Sequence, residues 1–442
     1  MATKTLTERP VPRGEPSLPQ GIGRFNSGWK VFFAVGILIA GFGGYAYFRE
    51  YTEGMGATGM RDVGTMGGAT WGLYITMVVY LIGVSFAGIT LAALIRLFRL
   101  EKLAPVARMA EVLTVVSLIL GGLAIIVDLG QPIRGIINLF RYARPQSPFF
   151  GTFTLVIAGY LFASLVYTYL GGRRDAAVLS KVPSRLQGFH RRWAAGYQDT
   201  ERERRRHWTA SFWLALAIIP LLIIAHSTLG FVFGLQVGRP GWYGTLQAPA
   251  FVALAGVSGI GHLLILAAIA RRTLGVRDRL RIEIFAWLGR FLLVTLLVYL
   301  YFMMVELLTL LYNTPEAEKA LSDALLTGEY AWIYWGSVAA LVMPVIILAY
   351  QALNSRWNIG WLVASGVLVN LAAVGKRYLI VVPSQTHGTL LPYDVGSYTP
   401  SWIEWAVVAG ILALGALLIG LFMKSFPLLP LDESEREVMA DA

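Results

Sequence analysis

Five ionisable residues, Asp128, His226, Glu306, Lys376 and Arg377, stand inside long apolar runs of this 442-residue chain. An unpaired polar group in hydrocarbon costs several kcal/mol, so such residues face a protein interior or a water-filled cavity and mark a functional site by default. Carboxylates and a histidine at such places can accept protons, while lysine or arginine can hold an anion. The stretch 226–249 joins two of the runs. Its loop Arg239-Pro240-Gly241-Trp242-Tyr243 has the glycine and proline of a tight re-entry and aromatics suited to a membrane interface.

Each residue also fits a structural role. Asp128, in Asp-Leu-Gly-Gln-Pro, is placed to end a helix at an interface, and His226 can bond a neighbouring carbonyl inside a bundle. Lys376 and Arg377 can snorkel to a surface, and Trp242 and Tyr243 can be interfacial anchors instead of the walls of a head-group pocket. Glu306, among Met303, Met304, Leu307 and Leu308, is the hardest to explain without function.

The elements that must position these residues are membrane helices. With 56% hydrophobic and 14% charged residues, the chain lies outside the soluble globular range. Runs long enough to cross a bilayer, about 20 mainly apolar residues, cover 29–48, 71–98, 105–129, 148–170, 209–235, 246–270, 284–311, 330–353, 359–382 and 402–423. The expected fold is an all-α polytopic membrane protein of about ten transmembrane helices, as two four-helix bundles with flanking helices. Residues 1–28 form an N-terminal segment, 29–423 the membrane domain with a basic connection at 172–208, and 424–442 a C-terminal tail. No cleavable signal peptide is expected before the first run. The glycine-rich stretch 54–68 reads as a mobile loop.

Basic residues concentrate on cytoplasmic loops. Lys4, Arg9, Arg13 and Arg24 precede the first run, Arg96, Arg99, Lys102 and Arg108 surround the second connection, and Arg271, Arg272, Arg277, Arg279 and Arg281 follow the sixth run. With the densely basic 172–208, every alternate loop is basic, so both termini read as cytoplasmic; Arg134, Arg141 and Arg144 weaken the asymmetry. The segment 173–207 fits an interfacial helix on anionic head groups or a partner's docking surface. Residues 131–144, with Ile133, Ile136, Ile137 and Phe140 at helical spacing beside three arginines, predict an amphipathic surface helix. At about 1.5 Å rise per residue, Asp128, His226, Glu306, Lys376 and Arg377 share one level toward the outer face. A site there suits an amphiphilic ligand that arrives from lipid and exchanges protons with the outer aqueous phase. His262, Arg290, Glu283 and Glu111 lie toward the inner side, as the start of a proton path or as anchors.

The formal charge of +11 would suggest nucleic acid in a soluble protein, but here it marks topology, and no nucleic-acid partner is expected. The absence of cysteine excludes a disulfide, a thiolate-held iron–sulfur cluster and a covalently attached c-type haem in this chain. His226 and His262 sit at different depths, which argues against their ligating a b-type haem. Ser85 and Gly88 in the second run match Ser258 and Gly259 in the sixth, and Asp128 matches Glu306, which leaves an internal repeat open.

Several short motifs in order, Thr70-Trp71-Gly72-Leu73-Tyr74, Gly83-Val84-Ser85-Phe86-Ala87-Gly88, Asp128-Leu129-Gly130-Gln131-Pro132 and His226-Ser227-x-x-Gly230, resemble the NrfD/PsrC polysulfide-reductase-type membrane subunits. Pro240-Gly241-Trp242, Ala248-Pro249, Arg377 to Pro383 and Pro400 to Trp405 extend the resemblance, and the length is similar to the larger members, such as the membrane subunits of alternative complex III. The resemblance implies a subunit of a bacterial or archaeal cytoplasmic membrane that holds no haem or iron–sulfur cluster and binds quinone or menaquinone near the outer face. It implies electron exchange with an iron–sulfur partner, joined to a molybdopterin or multihaem cytochrome subunit, and possible coupling to proton translocation. By motif, Asp128 and His226 are the quinol-side groups; Glu306 is added from its place in its helix, and Arg239, Trp242, Tyr243, Lys376 and Arg377 complete the expected site. The His-rich outer constellation of some members has no counterpart near the first run. Two other classes remain: a secondary transporter for a small anion or metabolite, with Arg239, Lys376 and Arg377 holding its charge, and a structural anchor for extrinsic redox proteins. A transporter is expected to bind near the midplane on broken helices.

Overall fold

A computed structural model describes residues 18–60, 70–142, 144, 146–147, 153–312, 316–387 and 397–440. The helices are α1 (Ser27–Glu53), α2 (Leu73–Leu97), α3 (Ala104–Asp128), α4 (Pro132–Tyr142), α5 (Thr154–Leu179), α6 (Gln187–Ala194), α7 (Glu201–Gly234) and α8 (Gln247–Thr273). They continue as α9 (Ile282–Tyr312), α10 (Glu316–Leu326), α11 (Ala331–Leu353), α12 (Ile359–Val381), α13 (Pro383–Thr386), α14 (Trp402–Ser425) and α15 (Glu433–Ala440). Ten of them are long and apolar enough to cross a membrane, and no strand occurs among the described residues. The protein is an all-α polytopic membrane protein. Its runs form helices because only a helix satisfies every backbone group within one segment in hydrocarbon.

Two closed rings of four helices make the body. In one, α2 packs on α3, α3 on α5, α5 on α7 and α7 on α2; in the other, α8 packs on α9, α9 on α11, α11 on α12 and α12 on α8. The rings share a seam between α2 and α8, while α1 and α14 pair with each other and α14 lies on α3. The seam needs small residues. A Cβ at Gly259 would sit 2.5 Å from both the Ala87 Cβ and the Val84 carbonyl oxygen, so any larger residue forces the two helices apart.

The basic connection 173–207 is not one interfacial helix. Helix α5 runs on to Leu179, the short α6 follows, and α7 starts at Glu201 with a Thr200–Glu203 capping box, so Arg202 and Arg204 to Arg206 stand on its first turns. Helix α4 forms as the periodicity predicts and buries none of its residues. Helix α10, between the seventh and eighth runs, has no counterpart in the hydropathy reading. Residues 1–17, most of the glycine-rich stretch 54–68 and the start of the fourth run, 148–152, lie outside the described residues.

At the end of the body that carries the basic loops, the chain's last segment folds back onto the bundle. The buried Asp175 carboxylate meets Arg108 at 2.8 Å and Arg436 at 2.9 Å and accepts from the Leu431 amide at 3.1 Å. Arg108 also donates to the Pro427 and Gly171 carbonyls, and Arg279 reaches Glu435 at 2.9 Å. Removing one member of a buried pair strands the other, so Asp175→Ala is expected to cost roughly 3–5 kcal/mol. In detergent this should appear as a lower unfolding midpoint and as faster protease cleavage after Pro427; Arg436→Lys, which keeps a charge, should cost less.

Candidate functional site

At the opposite end, α8, α9, α11 and α12 enclose a cavity of about 440 Å³, with α10 and the loop 241–247 along its edge. Most of its wall is apolar, from Ala250, Phe302, Leu307, Leu310, Leu321, Leu379 and Ile380. Its polar groups are few and face inward, the pattern of a small-molecule site. Glu306 comes from α9 and Lys376 from α12, with Nζ 3.8 Å from the Glu306 Oε2. Only 6% of the Lys376 side chain is exposed against 46% of Glu306, so the carboxylate, not the ammonium, is open to what enters. The ammonium also lies over the Tyr334 ring at 5.3 Å, a cation–π contact that supports a charge in an apolar wall. Ser384 lines the same space, is 1% exposed, and its hydroxyl has no hydrogen-bond partner.

The loop is held by its own chemistry. Gly241 has φ +73°, and a Cβ there would come within 2.5 Å of Leu321, so glycine is required for conformation and for space. Its amide donates to Glu318 Oε2 at 2.9 Å, and its carbonyl accepts from Gln247 Nε2 at 3.1 Å. Trp242 stacks on Trp71 with ring centres 5.7 Å apart and donates from Nε1 to the Ile380 carbonyl. It is buried and is therefore not an interfacial anchor, whereas Tyr243 is exposed at the cavity's edge.

The structure thus joins Trp242, Tyr243, Glu306 and Lys376 at one cavity but does not bring Asp128, His226, Arg377 or Arg239 to its wall. His226 is 1% exposed, and its Nδ1 and Nε2 lie 2.9 and 2.8 Å from the carbonyl oxygens of Leu222 and Ile82. Phe86 and Tyr160 pack against the ring. The Nδ1 contact stays within α7, and the Nε2 contact joins α7 to α2. Asp128 is buried at the C-terminal end of α3, in the other ring of helices. Arg377 is buried, lies 3.9 Å from the centre of the Phe251 ring and donates to the Phe251 carbonyl. Neither Lys376 nor Arg377 snorkels. Arg239 lies over the Trp242 ring at 5.9 Å. Depth along a helix fixes only one coordinate; the direction each side chain takes around its helix separates residues that share a level in the sequence.

Sequence reasoning missed several groups. Glu318 and Ser384 line the cavity; the only signal for Glu318 was an acid in the first turn of an unassigned short helix. Glu50 and Glu404 are buried acids at the same end. Tyr74 donates to Glu50 at 2.5 Å, and Tyr398 and the amides of Gly59 and Ser401 donate to Glu404. The Ser-x-x-Glu of a capping box, Ser401 to Glu404, was the readable sign of the second. Among the described residues, no three histidine or acidic side chains group to hold a metal ion.

Two rings of helices with a largely apolar cavity at one end are what the comparisons with known proteins bear on. Residues 62–388 match the family description "Polysulphide reductase, NrfD". The chain belongs to the NrfD family. The matched segment takes in α2 to α13, with the whole cavity, and leaves out α1 and α14, which carry Glu50 and Glu404. Among relatives of this NrfD chain is a putative dimethyl sulfoxide reductase membrane subunit of Halobacterium salinarum, 30% identical, with 92% of each chain covered. A selenate reductase subunit of Mesobacillus selenatarsenatis is 24% identical over 92% of this chain and 96% of its own. The Hdr-like menaquinol oxidoreductase integral membrane subunit of Archaeoglobus fulgidus is 24% identical over 90% of this chain and 94% of its own.

Burial raises the Glu318 carboxyl above its ordinary range, against the Gly241 amide bond, which favours the charged form. A carboxyl raised on folding contributes stability that is present at low pH and is lost as pH rises through its folded-state value. Docking of α10 on the Gly241 loop is therefore expected to loosen as pH rises above the ordinary carboxylate range. Cleavage of residues 316–326 by a protease, normalised for its own pH profile, measures this. Glu318→Gln keeps an acceptor for the amide and should flatten the dependence.

Proposed function

We propose that this chain is the quinone-reactive membrane subunit of a respiratory or photosynthetic oxidoreductase complex, and that the cavity of Glu306 and Lys376 receives the quinol or quinone head. The observation that carries this is a carboxylate beside a buried ammonium on an apolar wall, within a space of about 440 Å³. Such a wall suits an isoprenoid carrier, and the name borne by the Archaeoglobus fulgidus relative, a menaquinol oxidoreductase subunit, supports that ligand class.

The chemistry follows from the residues. Oxidation of a quinol releases two protons with two electrons. Glu306 accepts the two hydroxyl protons in turn, releasing each to water at its exposed side, and the neighbouring Lys376 balances the carboxylate's charge before each transfer. The free Ser384 hydroxyl offers a hydrogen bond to the ring's oxygen. Trp242 closes the back of the site, and Tyr243 stands at its mouth. Arg377 braces α12 against α8 near the site, while His226 ties α7 to α2 in the other ring. Basic loops at the far end support an extracytoplasmic cavity, with both termini in the cytoplasm. The chain has no cysteine to hold a cluster, so the electrons leave to an iron–sulfur partner docked at the cavity end. That partner is joined to a terminal reductase or oxidase subunit, as the dimethyl sulfoxide and selenate reductase names of two relatives suggest.

Turnover of a soluble quinol analogue by membranes carrying the whole complex tests this. Glu306→Gln is expected to lower kcat by roughly 10²-fold, the lower range for loss of a positioned proton acceptor. Ser384→Ala loses one neutral hydrogen bond, about 1 kcal/mol, and should raise KM roughly fivefold. Intact assembly with unchanged quinol turnover in Glu306→Gln would leave the chain a structural anchor.

A further inference from the structure

A second hollow, of about 470 Å³, opens on the side of the body between α3, α5 and α14 and is closed at one end by Trp193 of α6. It lies in the half of the molecule opposite the quinone-site cavity, near the folded-back tail. Val112, Val116, Leu165 and Phe422 make its wall apolar, and its stretch along α3, from Val112 to Ile119, is about 10 Å long. Leu165 and Ile119 on its rim are exposed, so it faces lipid.

Two features distinguish it from ordinary lipid-facing surface. The hydroxyl of Thr168, on the wall, is buried and has no hydrogen-bond partner, although a helical threonine usually bonds a carbonyl of the preceding turn. The indole that closes the hollow is also fixed: Trp193 stacks on Phe426 with ring centres 4.4 Å apart and donates to the Tyr169 carbonyl at 3.0 Å. The chain on either side of that indole is basic. Arg191 and Arg192 are exposed on the same helix, with Lys181 and Arg185 exposed on the approach to it. The acid within 172–195, Asp175, is buried and neutralised by Arg108 and Arg436.

We propose that this hollow is a built site for an anionic phospholipid. One acyl chain fills the apolar groove, an oxygen at the glycerol level accepts from the Thr168 hydroxyl, and the phosphate rests on Arg191 and Arg192. The charge of the mouth selects an anionic head group over a zwitterionic one, and the apolar wall selects a chain over a free phosphate.

The test is native mass spectrometry of the purified complex after exchange with phosphatidylglycerol or phosphatidylcholine. One tightly held phosphatidylglycerol is expected, retained at least tenfold better than phosphatidylcholine. Arg191→Gln/Arg192→Gln should lower that preference roughly tenfold or more, and Thr168→Val should lower occupancy several-fold, with the unfolding midpoint of the lipid-free protein unchanged. The exposed pair Arg205→Gln/Arg206→Gln, on the first turns of α7, should have no effect. Equal retention of both lipids, or an equal drop from the α7 pair, overturns the site in favour of diffuse attraction. A retained quinone in place of phospholipid overturns it as well.

Discussion

Inside an apolar helix bundle, a polar side chain must find a partner among a few backbone carbonyls and amides, a neighbouring side chain, or a ligand. That constraint sorts the intramembrane residues of this protein. His226 lies against two carbonyl oxygens and Arg377 against an aromatic face and a carbonyl, so both are committed to structure. Glu306 has one ion-pair contact and an open face, and Ser384 has no partner. Availability for chemistry is what remains after structural demand is met, and it does not follow from rarity or depth alone.

The two rings of helices meet that demand differently. In the first, side chains converge on the backbone of α2: Tyr160 and Thr114 donate to the Ser85 carbonyl, Tyr167 to that of Ala92, and the His226 ring lies against that of Ile82. These bonds tie α3, α5 and α7 to one central helix. In the second ring, α10 and the Gly241 loop sit across one end without filling it, and the cavity survives between them. The close seam of α2 with α8 makes the first ring a rigid backing for the second.

The opposite end is organised by charge pairing in place of space. Asp175 gathers Arg108 from α3 and Arg436 from α15, and Gln20 exchanges hydrogen bonds with the Leu429 backbone. The first and last described parts of the chain are therefore locked to the bundle at the end away from the cavity. One end of the body is thus fixed by ion pairs, and the other holds the open cavity.

The sequence by itself determined the membrane class and the ten spans, because hydrocarbon requires long apolar helices and the runs are long enough to be read without ambiguity. It also settled the family, through short motifs in a set order, and the amphipathic α4, through its period. It reached part of the cavity, since Glu306 and Lys376 stood out as charges in apolar runs and Trp242 and Tyr243 as aromatics in a glycine turn. Only the tertiary structure decided that His226, Asp128 and Arg377 turn elsewhere. Side-chain direction depends on which helix stands opposite, and hydropathy carries no such information. Glu318, Ser384 and Asp175 were invisible for the converse reason: each is ordinary in its local sequence and acquires its role from a partner distant along the chain, Gly241, the cavity and Arg436.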